Sequence, residues 1–160
     1  MTVIDENALA DFENPSKLQG GSGGGAKFKT LKPYTGTIVE LKKIKKEDDQ
    51  FNKGHDQFCF KIALDDWGPG SKVNPEDPDS PVREEQWHHS IYTRTQFTPG
   101  KGGKLEKMFQ GILDRENVSP QDAPEIARRI KEGARVSLVF NRENGNHGPY
   151  DALIAVMAAE

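Results

Sequence analysis

The sequence predicts a mainly β chain with helices (α+β), with five strands and a helix pair between the third strand and the fourth. Two observations predict this class. Residues 57–64 place an apolar side chain at every second position, which is the period of a half-buried strand. Beyond residue 104 the apolar residues recur at the spacing of an amphipathic helix. With the helices in one place along the chain, this order excludes an alternating βαβ layout and a parallel sheet.

The first three strands are predicted at residues 34–41, 57–64 and 86–95. The first follows Pro33 and is rich in β-branched residues, as strands are. Residues 65–85 hold four prolines and therefore predict a long loop. On the third strand one side holds Trp87, His89, Ile91 and Thr93, and the other holds Gln86, His88, Ser90, Tyr92 and Arg94.

The second half of the chain predicts two helices and two more strands. Residues 105–113 carry the helical stripe, and a second helix follows Ser119 and ends at Gly133. Residues 135–140 and 149–157 predict the last strands, and Asn144-Gly145 between them is a hairpin signal. Five strands with the helices between the third and the fourth is the order of the OB-fold, a small Greek-key barrel.

The 160 residues suffice for one ordinary domain with a tail. We expect residues 1–25 to be a flexible acidic arm that ends in a Gly-rich linker, and residues 26–160 to be the OB-fold-like domain. The single cysteine, Cys59, fits a reducing compartment. Neither a signal peptide nor an apolar run of membrane-spanning length is visible, which predicts a soluble, cytoplasmic protein without a membrane partner.

The net charge of −3 excludes a polybasic mode of nucleic-acid binding, yet the charge is segregated along the chain. Residues 26–46 hold seven lysines against Glu40 and carry +6. Residues 65–85 hold seven acids against Lys72 and Arg83 and carry −5. Because aromatic residues interleave the lysines, the basic stretch favours a nucleic-acid-binding interpretation over a merely solvated surface.

Three short motifs give the chain a family resemblance. They are Tyr-Thr-Gly-Thr-Ile-Val at 34–39, Lys-Gly-Gly-Lys-Leu-Glu-Lys-Met-Phe at 101–109 and Gly-Ala-Arg-Val-Ser-Leu-Val at 133–139. With this element order the chain resembles the small OB-fold single-stranded-DNA-binding proteins of phages and related mobile elements. The resemblance implies a non-enzymatic protein of DNA replication or recombination, in the host cytoplasm if phage-encoded. The chain ends Met157-Ala-Ala-Glu160, without the acidic tail of several such proteins.

Motifs for catalysis fail on inspection, so neither an enzyme nor a cofactor is predicted. The lysines of 98–105 lack the Ser or Thr and the glycine spacing of a nucleotide-hydrolysing P-loop, although this glycine-rich helix start could contact a backbone phosphate. His55 and Cys59 are four residues apart near a strand, too far to share one metal ion, and His88 and His89 point to opposite faces. The paired carboxylates lie in or beside loops, without a nucleophile.

Basic groups beside aromatic faces predict a single-strand binding surface, since OB barrels present their second and third strands to oligonucleotides. The choice between DNA and RNA stays open, as do homo-oligomers and replication or recombination proteins as partners. The alternative is a protein-interaction or assembly module that uses the acidic surfaces. The predicted phosphate contacts are Lys42, Lys43, Lys45, Lys46, Lys61, Arg94, Lys101 and Lys104, and the predicted stacking residues are Tyr92, Tyr34 and Phe51.

Overall fold

A computed structural model describes residues 2–14, 32–48, 54–73, 78–145 and 148–159. All the predicted strands and helices are confirmed, and a short strand and helix precede them. The elements are β1 (Val3–Ile4), α1 (Glu6–Glu13), β2 (Pro33–Ile44), β3 (Gln57–Leu64), β4 (His88–Arg94), α2 (Lys104–Leu113), α3 (Ala123–Lys131), β5 (Arg135–Gly145) and β6 (Gly148–Ala158). The chain is therefore mainly β with helices, of the α+β class.

The sheet has the strand order β4-β3-β2-β5-β6, with antiparallel pairing throughout, and β1 adds to β2 in parallel. Three consecutive strands lie side by side, and β5 returns after the helices to lie beside β2, which is Greek-key order. Within the described ranges, β4 and β6 do not pair with each other, so the sheet is open. The hairpin predicted between the last two strands is confirmed, with Gly145 opposite Gly148.

The core lies on one face of the sheet and is covered by the helices. The predicted inward side chains of β3, Phe58, Phe60, Ile62 and Leu64, are all buried. The stripe of α2 is buried as well, and this helix packs closely on β6. A Cβ at Gly111 would lie 2.2 Å from Val156 Cγ1, so only glycine allows this approach.

A β-bulge in β2 decides which of its side chains reach the face away from the core, here called the outer face. Tyr34 and Ile38 are buried at alternate positions, but the pairing register with β3 shifts between Ile38 and Glu40. Beyond that shift Leu41 is the buried residue, while Lys42 lies opposite Cys59 of β3. A bulge adds one residue to a strand, so the side chains beyond it point to the opposite face from the one that simple alternation predicts. Lys42 therefore lies on the outer face, and Lys43 lies on the core side.

The prediction of a flexible arm over residues 1–25 is wrong for residues 2–14. Here β1 pairs with β2, and α1 buries Ala8 and Phe12 completely in the core. A lone eight-residue helix is unstable in water, but a core that accepts its apolar face stabilises it. The domain boundary at residue 26 therefore does not hold, because residues 2–14 belong to the folded unit. The predicted linker, Gly20 to Gly25, lies outside the described residues.

None of the helices in the described part of the chain is long and apolar enough to cross a membrane.

Candidate nucleic-acid interface

The outer face of β2, β3 and β4 brings together side chains that the sequence places far apart. The register of these strands forms three cross-strand rows. The rows are Glu40–Lys61–Ser90, Lys42–Cys59–Tyr92 and Ile44–Gln57–Arg94. Directly opposite residues in an antiparallel sheet have their Cβ atoms about 4.5–5.5 Å apart. The structure therefore joins Lys42, Lys61, Tyr92 and Arg94 on one surface.

Tyr92 lies at the centre of this surface and is partly exposed. Its strand neighbour is Cys59, which is fully buried. Burial raises the pKa of the Tyr92 hydroxyl, and the neighbouring Cys59 raises it further. Burial also raises the pKa of the Cys59 thiol. Both groups are therefore neutral at physiological pH. The Tyr92 hydroxyl is engaged with Ser90 and Cys59, and its ring offers a face without a charge.

Two of the predicted cations are engaged in ion pairs within the protein. Lys43 Nζ lies 2.8 Å from Asp11 Oδ2, and its side chain is only 17 % exposed. The bulge directs the Lys43 side chain toward α1, away from the outer face that carries Lys42. Lys61 stays on the outer face, with Nζ 3.4 Å from Glu40 Oε1, so its charge is largely compensated. Within the part of the chain that the structure describes, Lys42 and Arg94 are the cations of this surface without an ion pair.

A groove of about 350 Å³ lies at one end of the outer face, where the β2–β3 connection meets the end of β4. Arg94 and Lys46, two of the predicted phosphate contacts, both line it and are both exposed. Lys45, also exposed, precedes Lys46 in the chain. Sequence reasoning did not place the other lining residues at a binding site: they are Gly54, His55, Asp56, Thr95 and Gln96.

Asp56 shapes the wall of this groove. Its Oδ1 accepts a hydrogen bond of 2.9 Å from the Lys46 backbone N–H, and its Oδ2 lies 3.7 Å from Lys43 Nζ. His55 Nδ1 lies 2.9 Å from the Asp56 carbonyl oxygen, which fixes Nδ1–H as the donor and leaves Nε2 for other partners. The groove therefore combines two exposed cations with an oriented imidazole.

Tyr34 is buried and does not belong to the outer face, so the prediction that it stacks bases is wrong. It is 6 % exposed, and its ring packs edge-on against Trp67 and Phe140 at centroid distances of 6.0 and 6.4 Å. The reason lies in the register of β2, which places Tyr34 on the same side as Ile38. Phe51, the other predicted stacking residue beside Tyr92, lies outside the described residues.

The glycine-rich start of α2 already holds an anion from the protein itself. The Glu106 carboxylate is buried and accepts hydrogen bonds from the backbone N–H groups of Gly100 (2.7 Å) and Gly102 (2.8 Å). These two backbone donors are therefore engaged by the protein's own carboxylate and not free for a phosphate. Lys104 lies on the core side, near enough to His89 to affect its pKa, and Lys101 is exposed in the turn. Neither lysine joins the outer face.

An aromatic cluster that the sequence did not reveal holds the acidic segment 65–85. The indole rings of Trp67 and Trp87 lie 4.6 Å apart, and the Arg83 guanidinium lies over both at 5.1 and 5.7 Å. Two further anchors are Gln86 Nε2, which donates to the Leu64 carbonyl (2.8 Å), and Asp65, which pairs with Arg135. The contacts join residues from separate strands and loops, so no local pattern indicates them.

The two ends of this acidic segment lie at the far end of the outer face from the groove. It follows Leu64 at the end of β3, whereas Arg94 lies opposite Gln57 at the start of β3. The eight-residue strand β3 separates the two ends by about 23 Å, at ~3.3 Å per residue. The acidic residue that does line the groove is Asp56, from the β2–β3 connection. No group of three or more His, Cys, Asp or Glu side chains within the described residues could hold a metal ion.

The comparisons with known proteins are sparse. No family model matches the chain, and no solved structure matches it. A curated protein that matches is named a probable transcription factor and comes from Arabidopsis thaliana. It is 30 % identical over 79 aligned residues, which cover 39 % of this chain and 27 % of the plant protein. The match therefore spans little more than a quarter of that relative's length.

Proposed function

We propose that the protein binds single-stranded nucleic acid on the outer face of β2, β3 and β4, without catalysis and without strong sequence preference. The observation that carries this proposal is the row Lys42–Cys59–Tyr92, which lies beside Arg94 and leads to the groove with Lys46. An aromatic face next to uncompensated cations is the combination that binds single strands, because bases stack on the ring and phosphates contact the cations.

Tyr92 is the stacking residue of this proposal. Base–aromatic stacking contributes about 1–3 kcal/mol per base and tolerates every base, since each has a π-face. The phenol carries no charge at neutral pH, since a tyrosine ordinarily ionises near pH 10 and burial raises the pKa of Tyr92 further, and so it does not repel the backbone. Lys42, Lys45, Lys46 and Arg94 are the proposed phosphate contacts.

We also propose that the sheet is a partly open OB barrel. Its support is the Greek-key order β4-β3-β2-β5, with the helices inserted between β4 and β5. OB-folds bind oligonucleotides on their second and third strands and on the loop between the first two. In this chain those parts are β3, β4 and the connection that carries Lys45 and Lys46, which is where the cations collect.

The wider role is a further proposal. The phage family resemblance suggests DNA replication or recombination, and the plant relative is named a probable transcription factor. Both roles involve nucleic acid, and both keep DNA as the first ligand to test. The alternative role, a protein-interaction module that uses acidic surfaces, predicts that the outer face has no affinity for single strands.

A fluorescence anisotropy titration with labelled oligo-dT at low salt tests the proposal, with oligo-rU and a DNA duplex as parallel ligands. We expect saturable binding of the single strands and much weaker binding of the duplex, whose bases are not free to stack. Similar affinities for dT and rU would assign the contacts to bases and phosphates and not to the sugar. Absence of single-strand binding at 50 mM salt would contradict the proposal and favour the interaction module.

A further inference from the structure

The N-terminal segment, residues 2–14, docks on the domain as a separate β–α unit. Its contacts reach β2, which follows it in the chain, and also β3, α2 and α3, which lie farther along the chain. The covalent connection between the segment and β2 runs through residues 15–31. The groove that holds it, here called the segment groove, consists of the β2 edge at Glu40–Lys43, Phe58 and Phe109.

The first half of the segment binds by strand addition. Residues Val3 and Ile4 pair in parallel with Glu40 and Leu41, beyond the stretch of β2 that pairs with β5. The Asp5 N–H donates to the Leu41 carbonyl (2.8 Å), and Asp5 Oδ2 accepts from the Lys43 N–H (3.2 Å). Strand addition of this kind is a general mode of peptide recognition, in which main-chain hydrogen bonds supply the affinity.

The second half binds through two anchors on α1. Phe12 is fully buried, with its ring 5.2 Å from that of Phe58 and 5.8 Å from that of Phe109. Asp11 is 3 % exposed and pairs with Lys43 Nζ at 2.8 Å. A fully buried side chain in a well-packed, desolvated pocket is a feature that binding hot spots share. The segment is therefore held by contacts typical of a bound peptide.

The connection is long enough to reach a second molecule. Residues 15–31 are 17 residues, which span at most about 56–61 Å when extended. A domain of this size has a radius of gyration of only about 14 Å. A segment that leaves its own groove can therefore reach the same groove on a neighbouring copy, where every contact is identical.

We propose that residues 2–14 are an exchangeable docking segment, and that the partner they fit is the segment groove of a second copy of this chain. Exchange of an identical element between copies requires no new interface, since the contacts already described re-form between molecules. Docking within one chain prevails in dilute solution, and exchange becomes competitive when copies are brought close together. The inference uses no property of the outer face and does not depend on nucleic-acid binding.

A charge-reversal pair tests the exchange in the full-length protein. D11K places a positive side chain of the segment against Lys43 of its own groove. K43D places a negative side chain of the groove against Asp11 of its own segment. Like charges therefore weaken docking within one chain in both variants. When the two variants are mixed, each segment meets a groove of opposite charge on the other chain, and one of these two interfaces is wholly native. We expect each variant alone to be monomeric by native mass spectrometry and the equimolar mixture to form heterodimers.

The double variant D11K/K43D is the control. It restores an opposite-charge pair between segment and groove within one chain and carries the same loss of the Lys43–Asp56 contact as K43D, and it should remain monomeric. A mixture that stays monomeric at high micromolar concentration would overturn the proposal. If one variant fails to fold, a labelled peptide of residues 2–14 is titrated into full-length F12A, whose own segment lacks its anchor. Saturable binding of the peptide supports exchange, with roughly tenfold or greater loss for a peptide that carries F12A. Absence of peptide binding overturns it.

Discussion

The ring of Phe12 lies edge-on against the ring of Phe58, with 5.2 Å between the centroids. Phe58 belongs to β3, whose opposite side carries Cys59 and Lys61 of the outer face. The N-terminal helix is thereby coupled to the strand at the centre of the proposed binding surface. Residues that the sequence assigns to a mobile arm are structural supports of that strand.

Phe12→Ala should destabilise the protein by about 3–5 kcal/mol, because it removes a fully buried ring and leaves a cavity against Phe58 and Phe109. Urea unfolding followed by circular dichroism measures the change. Glu13→Ala, an exposed neighbour on α1, is the control and should shift the free energy of unfolding by less than about 0.5 kcal/mol. A Phe12→Ala effect as small as that of the control would show that α1 does not pack on the core.

Tyr92→Ala should weaken oligo-dT binding by about 1–3 kcal/mol, since it removes the stacking face. Tyr92→Phe keeps the ring and should keep most of the affinity. Tyr150→Ala, at an exposed tyrosine on β6, is the control for loss of a surface aromatic and should leave binding unchanged. Anisotropy titrations at one salt concentration compare the three. Equal losses for Tyr92→Ala and Tyr150→Ala would contradict a specific role of the outer face.

Replacing Lys42 and Lys45 together with alanine should reduce the slope of log K against log salt by up to about 1.4, because two fewer counterions are released per single strand bound. Lys101→Ala should leave that slope unchanged, since the turn before α2 lies away from the outer face. Tyr92→Ala should likewise leave the slope nearly unchanged. A salt series for each variant separates charge from stacking. If Lys101→Ala reduced the slope of log K against log salt and the Lys42/Lys45 double variant did not, the phosphate contacts would lie at the start of α2 instead.

The free energy of unfolding should fall as the pH is lowered, because His89 is buried in its neutral form. Burial, and secondarily the charge of Lys104, lower the pKa of His89 to about 4 in the folded protein. The unfolded chain titrates near the ordinary value of about 6.5, so between these values the unfolded state binds more protons and acid favours unfolding. The predicted loss is about 2 kcal/mol between pH 7.5 and pH 5.

The measurement is urea unfolding at both pH values for the wild type, His89→Gln and His88→Gln. His89→Gln should remove most of this pH dependence, whereas His88→Gln should retain it, because His88 is exposed on the outer side of the same strand. The wild-type and His89→Gln profiles would coincide if His89 were solvated in the folded state.

Glu106→Gln should lower the free energy of unfolding by about 1–3 kcal/mol, because the charged acceptor for the Gly100 and Gly102 N–H groups is lost. Glu116→Gln, at an exposed position nearby, should have little effect on stability. Oligo-dT affinity should be unchanged in both variants. Tighter binding by Glu106→Gln alone would mean that this turn accepts a nucleic-acid phosphate once its own carboxylate is weakened.

Local patterns predicted most of the secondary structure and part of the site. The alternation in β3 and the helical stripe in α2 were sufficient because burial on one face imposes the periods 2 and 3.6 on the sequence. The same alternation placed Tyr92 and Arg94 together on the outward side of β4, and this is confirmed. The groove beside Arg94 was not predicted, because its lining residues come from two separate connections.

The sequence by itself determined the order of the elements, the side of β3 and β4 that is buried, and the segregation of basic and acidic stretches. The tertiary structure alone decided which lysines are available. The bulge between Ile38 and Glu40 turns Lys42 outward and Lys43 toward Asp11, and one extra residue in a strand leaves no clear trace in composition. Tertiary packing likewise decided that the N-terminal segment is folded. A short helix with few apolar residues is stable only where Phe12 can be buried in a core, here against Phe58 and Phe109.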